Sequence, residues 1–127
     1  MNYQKWNNIL GWLTFAIAAY TYISTLEPTA SFWDCGEYIA TSYRLEVGHP
    51  PGAPTFLLVG RLFSMFVAPE NVAYAVNLIS ALSSAFTILF LFWTISALGR
   101  KVFSLTNGKE NISAGDEAAI FGSAIVG

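Results

Sequence analysis

From Asn71 to Gly99 the chain reads "NVAYAVNLISALSSAFTILFLFWTISALG", without one charged residue. A helix of that length and apolarity can cross a bilayer with tilt to spare. Ser80 with Ser84, and Ala81 with Ala85, have the small-xxx-small spacing that suits close helix packing, although small residues are common in any membrane helix. Composition supports the membrane reading: 54% of the residues are hydrophobic and 11% are charged, against about a quarter charged in soluble domains. A net charge of −2 argues against nucleic acid or a polybasic membrane patch. A single cysteine excludes an internal disulfide and a cysteine-based zinc site.

A second charge-free stretch runs from Trp6 to Leu26, with "ILGWLTFAIAAYTYI" at its centre. Trp6 and Trp12 near one end, and Tyr20 and Tyr22 near the other, suit the two interfaces of a bilayer. A cleaved signal peptide is the rival reading. Its basic region would hold only Lys5, and no clean small-x-small site follows, so an uncleaved span over about residues 7–26 is favoured. A further apolar stretch, "AAIFGSAIVG", begins at Ala118. The expected fold class is therefore all-α: the start of a polytopic membrane protein, with spans near 7–26 and 71–98, a loop over about 99–116, and a further span beginning near 117.

Between the two spans lies "PTFLLVGRLFSMFVAP", residues 54–69. Arg61 interrupts this segment and prolines bracket it. It is short for a span and better suited to an interfacial helix over about 54–68. Charge placement agrees. If the segment does not cross, Lys5 shares the cytoplasmic side with Arg100 and Lys101, as flanking cations favour. The residues from Glu27 to Glu70 then form one outward loop. In a bacterium this corresponds to a multi-pass protein of the inner membrane with its polar loop on the periplasmic side.

The chain's polar chemistry is concentrated in that loop, in "FWDCGEYIATSYRLEVGHPPGAP". Ser31 and Asp34 have the Ser-x-x-acid form of a helix start. A helix over about 32–47 would place Asp34, Glu37, Thr41 and Arg44 on one face, and Ile39, Tyr43 and Val47 on the other. "GHPPG" would end it. Each polar residue also has a plainer reading. Asp34 suits a first-turn acid, Glu37 a solvated acid, Arg44 a headgroup contact, Cys35 an incidental small residue and His49 a loop-shaping hydrogen bonder. Two acids and a histidine could touch a divalent metal, but their spacing matches no specific site. No cofactor is certain from these residues, and the possibility of a divalent metal stays open.

The stretch "EPTASFWDCGEYIATSYRLEVGHPPGAP", followed by "NLISALSSAFTILFLFW", resembles the start of a family of polytopic proteins common in Bacteroidetes. That family was long labelled a domain of unknown function. It is related to the transmembrane O-mannosyltransferases of animals and to the GT-C superfamily of glycosyltransferases that use lipid-linked sugars. The resemblance covers nearly the whole chain and is carried by the Asp-Cys-Gly-Glu and His-Pro-Pro-Gly block.

The resemblance implies a first-loop acid at the active site, with Asp34 in that place, Glu37 beside it and His49-Pro50-Pro51 downstream. In the O-mannosyltransferases the two acids are adjacent, whereas here Cys35 and Gly36 separate them. The basic residue that follows the prolines in many relatives is missing, and the nearest cation is Arg61. The implied donor is a mannose-like sugar on a polyprenyl phosphate, with the acceptor a hydroxyl of an exported protein. Asp34 would be the base, Glu37 its partner, and Arg44, His49 and Arg61 donor-binding residues. The alternative is a non-enzymatic transporter or assembly subunit. Transport would favour acids inside the spans, and these spans have none.

Overall fold

A computed structural model describes residues 2–107 and 112–126. The elements are α1 (Tyr3–Ser24), α2 (Cys35–Arg44), α3 (Pro54–Ser64), a 3-10 turn (Pro69–Asn71), α4 (Val72–Asn107) and α5 (Ala114–Val126). The described residues are helix and loop, with no strand. Among the described residues, one helical segment, Pro69–Thr106, is long and apolar enough to cross a membrane. The expectation of two such spans is not met on this criterion. α1 has the length, but Gln4, Lys5, Asn7 and Asn8 occupy its first turns, and Tyr, Trp and Thr punctuate the rest.

The chain divides into two compact units, one of residues 22–83 and one joining residues 1–21 to 84–127. In the first unit α2 packs on α3 through a close backbone approach. A Cβ on Gly60 would lie 2.6 Å from Ser42 Oγ and 3.8 Å from Val76 Cγ2. Glycine is what allows the helices to meet at this point. Leu57, Gly60 and Ser64 form the buried stripe of α3, while Val72, Ala75, Val76 and Ile79 form that of early α4. Tyr38 and Phe56 meet edge to face at 5.6 Å.

In the second unit, Phe92, Phe121 and Ala124 form a buried cluster against which Tyr3, Leu10 and Trp93 pack. Gly11 lets α4 come close to α1, since a Cβ there would sit 2.5 Å from Trp93 Nε1. Thr14 and Thr21 donate their hydroxyls to the Leu10 and Ile17 carbonyls at 2.8 and 2.9 Å. Helix hydroxyls in apolar surroundings are satisfied in this way.

Several boundaries differ from the expected ones. α2 covers Cys35–Arg44 rather than 32–47. Trp33 has φ 60 and Leu45 φ 54, left-handed values that a helix interior excludes. Ser31 therefore lies outside the helix, and Asp34 is the N-cap residue. Val47 also falls outside and is 94% exposed, so the Ile39–Tyr43–Val47 face does not form. Thr41 and Ser42 are the buried residues of α2.

α3 stops at Ser64 rather than near 68, and Ala68 is extended with ψ 153, as a residue before proline prefers. α4 continues to Asn107, through the first part of the expected 99–116 loop. No proline or glycine follows Gly99 before the helix ends, so the charges Arg100 and Lys101 do not stop it. α5 begins at Ala114, ahead of its apolar run. Ser113 caps it: the Asp116 carboxylate accepts from the Ser113 backbone N–H and hydroxyl, and the Asp116 N–H donates to Ser113 Oγ, at 3.0, 2.8 and 3.2 Å. The middle of the expected loop, residues 108–111, lies outside the described residues.

Candidate functional site

The site is assembled from the start of α2 and the turn that follows it. Glu37 lies in the first turn of the helix, and its carboxylate reaches across to the Gly48–His49 loop. Oε1 accepts the His49 backbone N–H at 2.7 Å, and Oε2 lies 2.7 Å from His49 Nδ1. Gly48 makes room for this contact, since a Cβ there would lie 2.8 Å from Glu37 Oε1. The loop then closes through the Gly52 N–H, which donates to the His49 carbonyl at 2.9 Å. Gly52 has φ 73 and the Pro50–Pro51 bond is cis. At the other end of the loop, the Glu46 N–H donates to the Thr41 carbonyl at 3.0 Å.

This geometry sets the charges. The His49 backbone N–H, and after it the ring, lower the Glu37 pKa below its usual value. The Glu37 hydrogen bond raises that of His49. An ionised carboxylate only accepts, so Nδ1 carries the shared proton and Nε2 is left for another partner. Asp34 is exposed. Asp34, Glu37 and His49 each offer one potential ligand atom, all within 4.8 Å of one another. A divalent cation fits this mixed oxygen and nitrogen set, and one bound through Nδ1 would displace the proton between Glu37 and His49. The residues can hold that pair or a cation through Nδ1, but not both at once.

The two acids and the histidine named from sequence thus come together. Glu37 is occupied by His49, and Asp34 keeps its carboxylate free to meet a ligand. The two arginines are engaged elsewhere. Arg44 lies 3.7 Å from Glu46, with both side chains largely exposed. Arg61 donates to the Tyr43 carbonyl at 2.6 Å and lies over the Tyr43 ring at 5.6 Å.

Asn77 was missed from sequence. Its amide donates to the Glu27 and Thr29 carbonyls at 2.9 and 3.0 Å, and its oxygen accepts from Cys35 Sγ at 3.5 Å. One side chain of α4 therefore ties the approach to Asp34 to the first residue of α2. A carboxamide inside an apolar run was the available signal. Beside it lies an apolar cavity of about 440 Å³, lined by Cys35, Tyr38, Ile39, Phe56, Val76 and Asn77 among others.

The family profile described as the protein O-mannosyl-transferase TMEM260 N-terminal domain matches residues 34–127, beginning at Asp34 itself. The chain belongs to this family. It is 37% identical over 84 residues to the protein O-mannosyl-transferase TMEM260 of Mus musculus, a match covering 66% of this chain and 12% of the mouse protein. It is 31% identical over 86 residues to the protein of the same name from Dictyostelium discoideum, covering 65% of this chain and 10% of that protein. The chain thus spans about a tenth of the length of these relatives. No solved structure matches it at a significant level.

Proposed function

We propose that the protein to which this chain contributes is a membrane O-mannosyltransferase of the GT-C type. It moves a mannose-like sugar from a polyprenyl phosphate to a hydroxyl of an exported protein. One observation carries the reading: the family's matched segment opens on Asp34, a free carboxylate held beside a Glu37–His49 pair. The adjoining apolar cavity suits a lipid-borne donor.

The chemistry follows from those groups. An acceptor hydroxyl attacks the anomeric carbon and gives its proton to Asp34, the general base. The bond from that carbon to the phosphate oxygen breaks, the electron pair stays on the phosphate, and the sugar's configuration inverts. Charge grows on the phosphate, and a hydrogen-bond donor aimed there lowers the barrier. His49 Nε2 supplies it, and Glu37 holds the ring and its charge in place. Arg61, engaged with Tyr43, would shape the loop. Arg44, paired only loosely with Glu46, would be free to turn to a headgroup.

The proposed topology has α1 and α4 crossing the membrane, with residues 27–70 outside and α2 and α3 lying at the interface. The active site then faces the periplasm, at the depth where a polyprenyl phosphate presents its sugar. The test is Asp34→Asn in the full-length protein, with transfer from a polyprenyl-phosphate sugar as the readout. Losing the base should slow transfer about 10²–10⁴-fold with membrane insertion unchanged. Near-normal turnover would remove Asp34 from the chemistry.

A further inference from the structure

A second polar site lies in the other unit, where the apolar run of α4 ends. A cavity of about 410 Å³ opens between the first turns of α1 and the late turns of α4. Tyr3, Gln4 and Asn7 line one side, and Ser96, Arg100 and Lys101 line the other. No carboxylate is among its described walls. Among the described residues the ion pairs are Arg44–Glu46 and Glu37–His49, so Arg100 and Lys101 are in neither.

The site is built in advance of any ligand. The Arg100 guanidinium lies 4.4 Å over the Tyr3 ring. Tyr3 is itself held by a hydrogen bond from its hydroxyl to the Ser96 carbonyl at 3.0 Å and by stacking on Phe121 at 5.0 Å. A guanidinium held over a ring by its charge leaves N–H donors for a ligand, a fork that fits phosphate oxygens. Asn7 Oδ1 is buried without a partner among the described residues, an acceptor left for a hydroxyl on the bound group. The cavity is of ordinary ligand size. It also lies along the last turns of a helical segment able to cross a membrane, Pro69–Thr106, and the end of such a helix is where lipid phosphates lie. Basic pockets beside membrane helices take anionic headgroups in this way.

The geometry points to a binding site for the phosphodiester headgroup of an anionic, hydroxyl-bearing phospholipid, held by Arg100 and Lys101 with Asn7 as acceptor. Free phosphate shares the chemistry, but the position beside the apolar run selects the lipid.

The test uses the full-length protein in neutral detergent, offered phosphatidylglycerol or phosphatidylcholine, with retained lipid counted by native mass spectrometry. Phosphatidylglycerol should be retained in preference, and excess inorganic phosphate should not displace it. Lys101→Gln should weaken retention about fivefold, the worth of one cation near a membrane surface, and Arg100→Gln at least as much. Lys5→Gln, a cation outside the cavity wall, should change little. Should Arg100→Gln fold poorly, Lys101→Gln and Arg100→Lys carry the same test without emptying the Tyr3 stack of its cation. Equal retention of both lipids, displacement by inorganic phosphate, or an equal loss with Lys5→Gln would each overturn the site.

Discussion

The two units of this chain are held together by different means. In residues 22–83, directed polar contacts organise the backbone: Asn77 on two loop carbonyls, Glu37 on His49, and Arg61 on Tyr43. In the other unit, rings fill space. Tyr3 stacks on Phe121, Trp12 meets Trp93 edge-on at 6.1 Å, and Phe15 meets Phe86 at 4.7 Å. Ring contacts tolerate a range of angles, whereas a hydrogen bond specifies both distance and direction. A loop that must hold a carboxylate and an imidazole in register therefore needs the first kind of link. A helix pair that must only stay together is served by the second.

The contrast is tested most severely where the first unit relies on contact rather than hydrogen bonding. Gly60→Ala forces a methyl into Ser42, and overpacking of this kind costs about 1–3 kcal/mol. Thermal melting of the full-length protein should show the loss, and Ser42→Gly in the same chain should recover much of it. If the double variant melts no higher than Gly60→Ala alone, the α2–α3 contact is not where the strain arises.

Removing the Asn77 latch should have a somewhat smaller effect. Asn77→Leu leaves the Glu27 and Thr29 carbonyls without their donor, worth about 1–3 kcal/mol if they stay dry. The loss should be local: amide exchange should quicken across residues 27–37 and stay slow around Phe92. Uniform quickening would mean that Asn77 supports the whole fold rather than this loop.

The mildest test is pH. His49 has its pKa raised in the folded state, so its share of the pair is complete below the usual histidine value of 6.5 and is lost as pH rises through the raised one. Glu37 has its pKa lowered, so its share is present above the usual 4.5 and is lost as pH falls through the lowered one. The pair should hold the loop best between those limits. Protection of the His49 amide should follow that window, and His49→Gln should flatten its alkaline side. Because His49 is exposed and Glu37 only half-buried, global stability should barely move. A large change in melting temperature across neutral pH would contradict this picture.

Much of this molecule can be read from the order of its residues. The charge-free run from Asn71 to Gly99 favours a long helix, because a helix satisfies every backbone group within the one segment in an apolar setting. The prolines after His49 and before Glu70 set chain breaks through their ring geometry. The Asp-Cys-Gly-Glu and His-Pro-Pro-Gly block marks the segment in which Asp34, Glu37 and His49 come together.

What the order of residues does not carry is which polar groups meet. On a helical wheel Glu37 pairs with Asp34. In the folded chain the loop returns His49 to the Glu37 carboxylate, and Gly48 leaves the room in which that carboxylate sits. The periodicity of Ile39, Tyr43 and Val47 suggested a buried face, but the left-handed Leu45 ends the helix before Val47 can join it. Asn77 lies 42 residues from Cys35. Nothing local marks their contact, because a hydrogen bond across that separation exists only once α2 and α4 have packed.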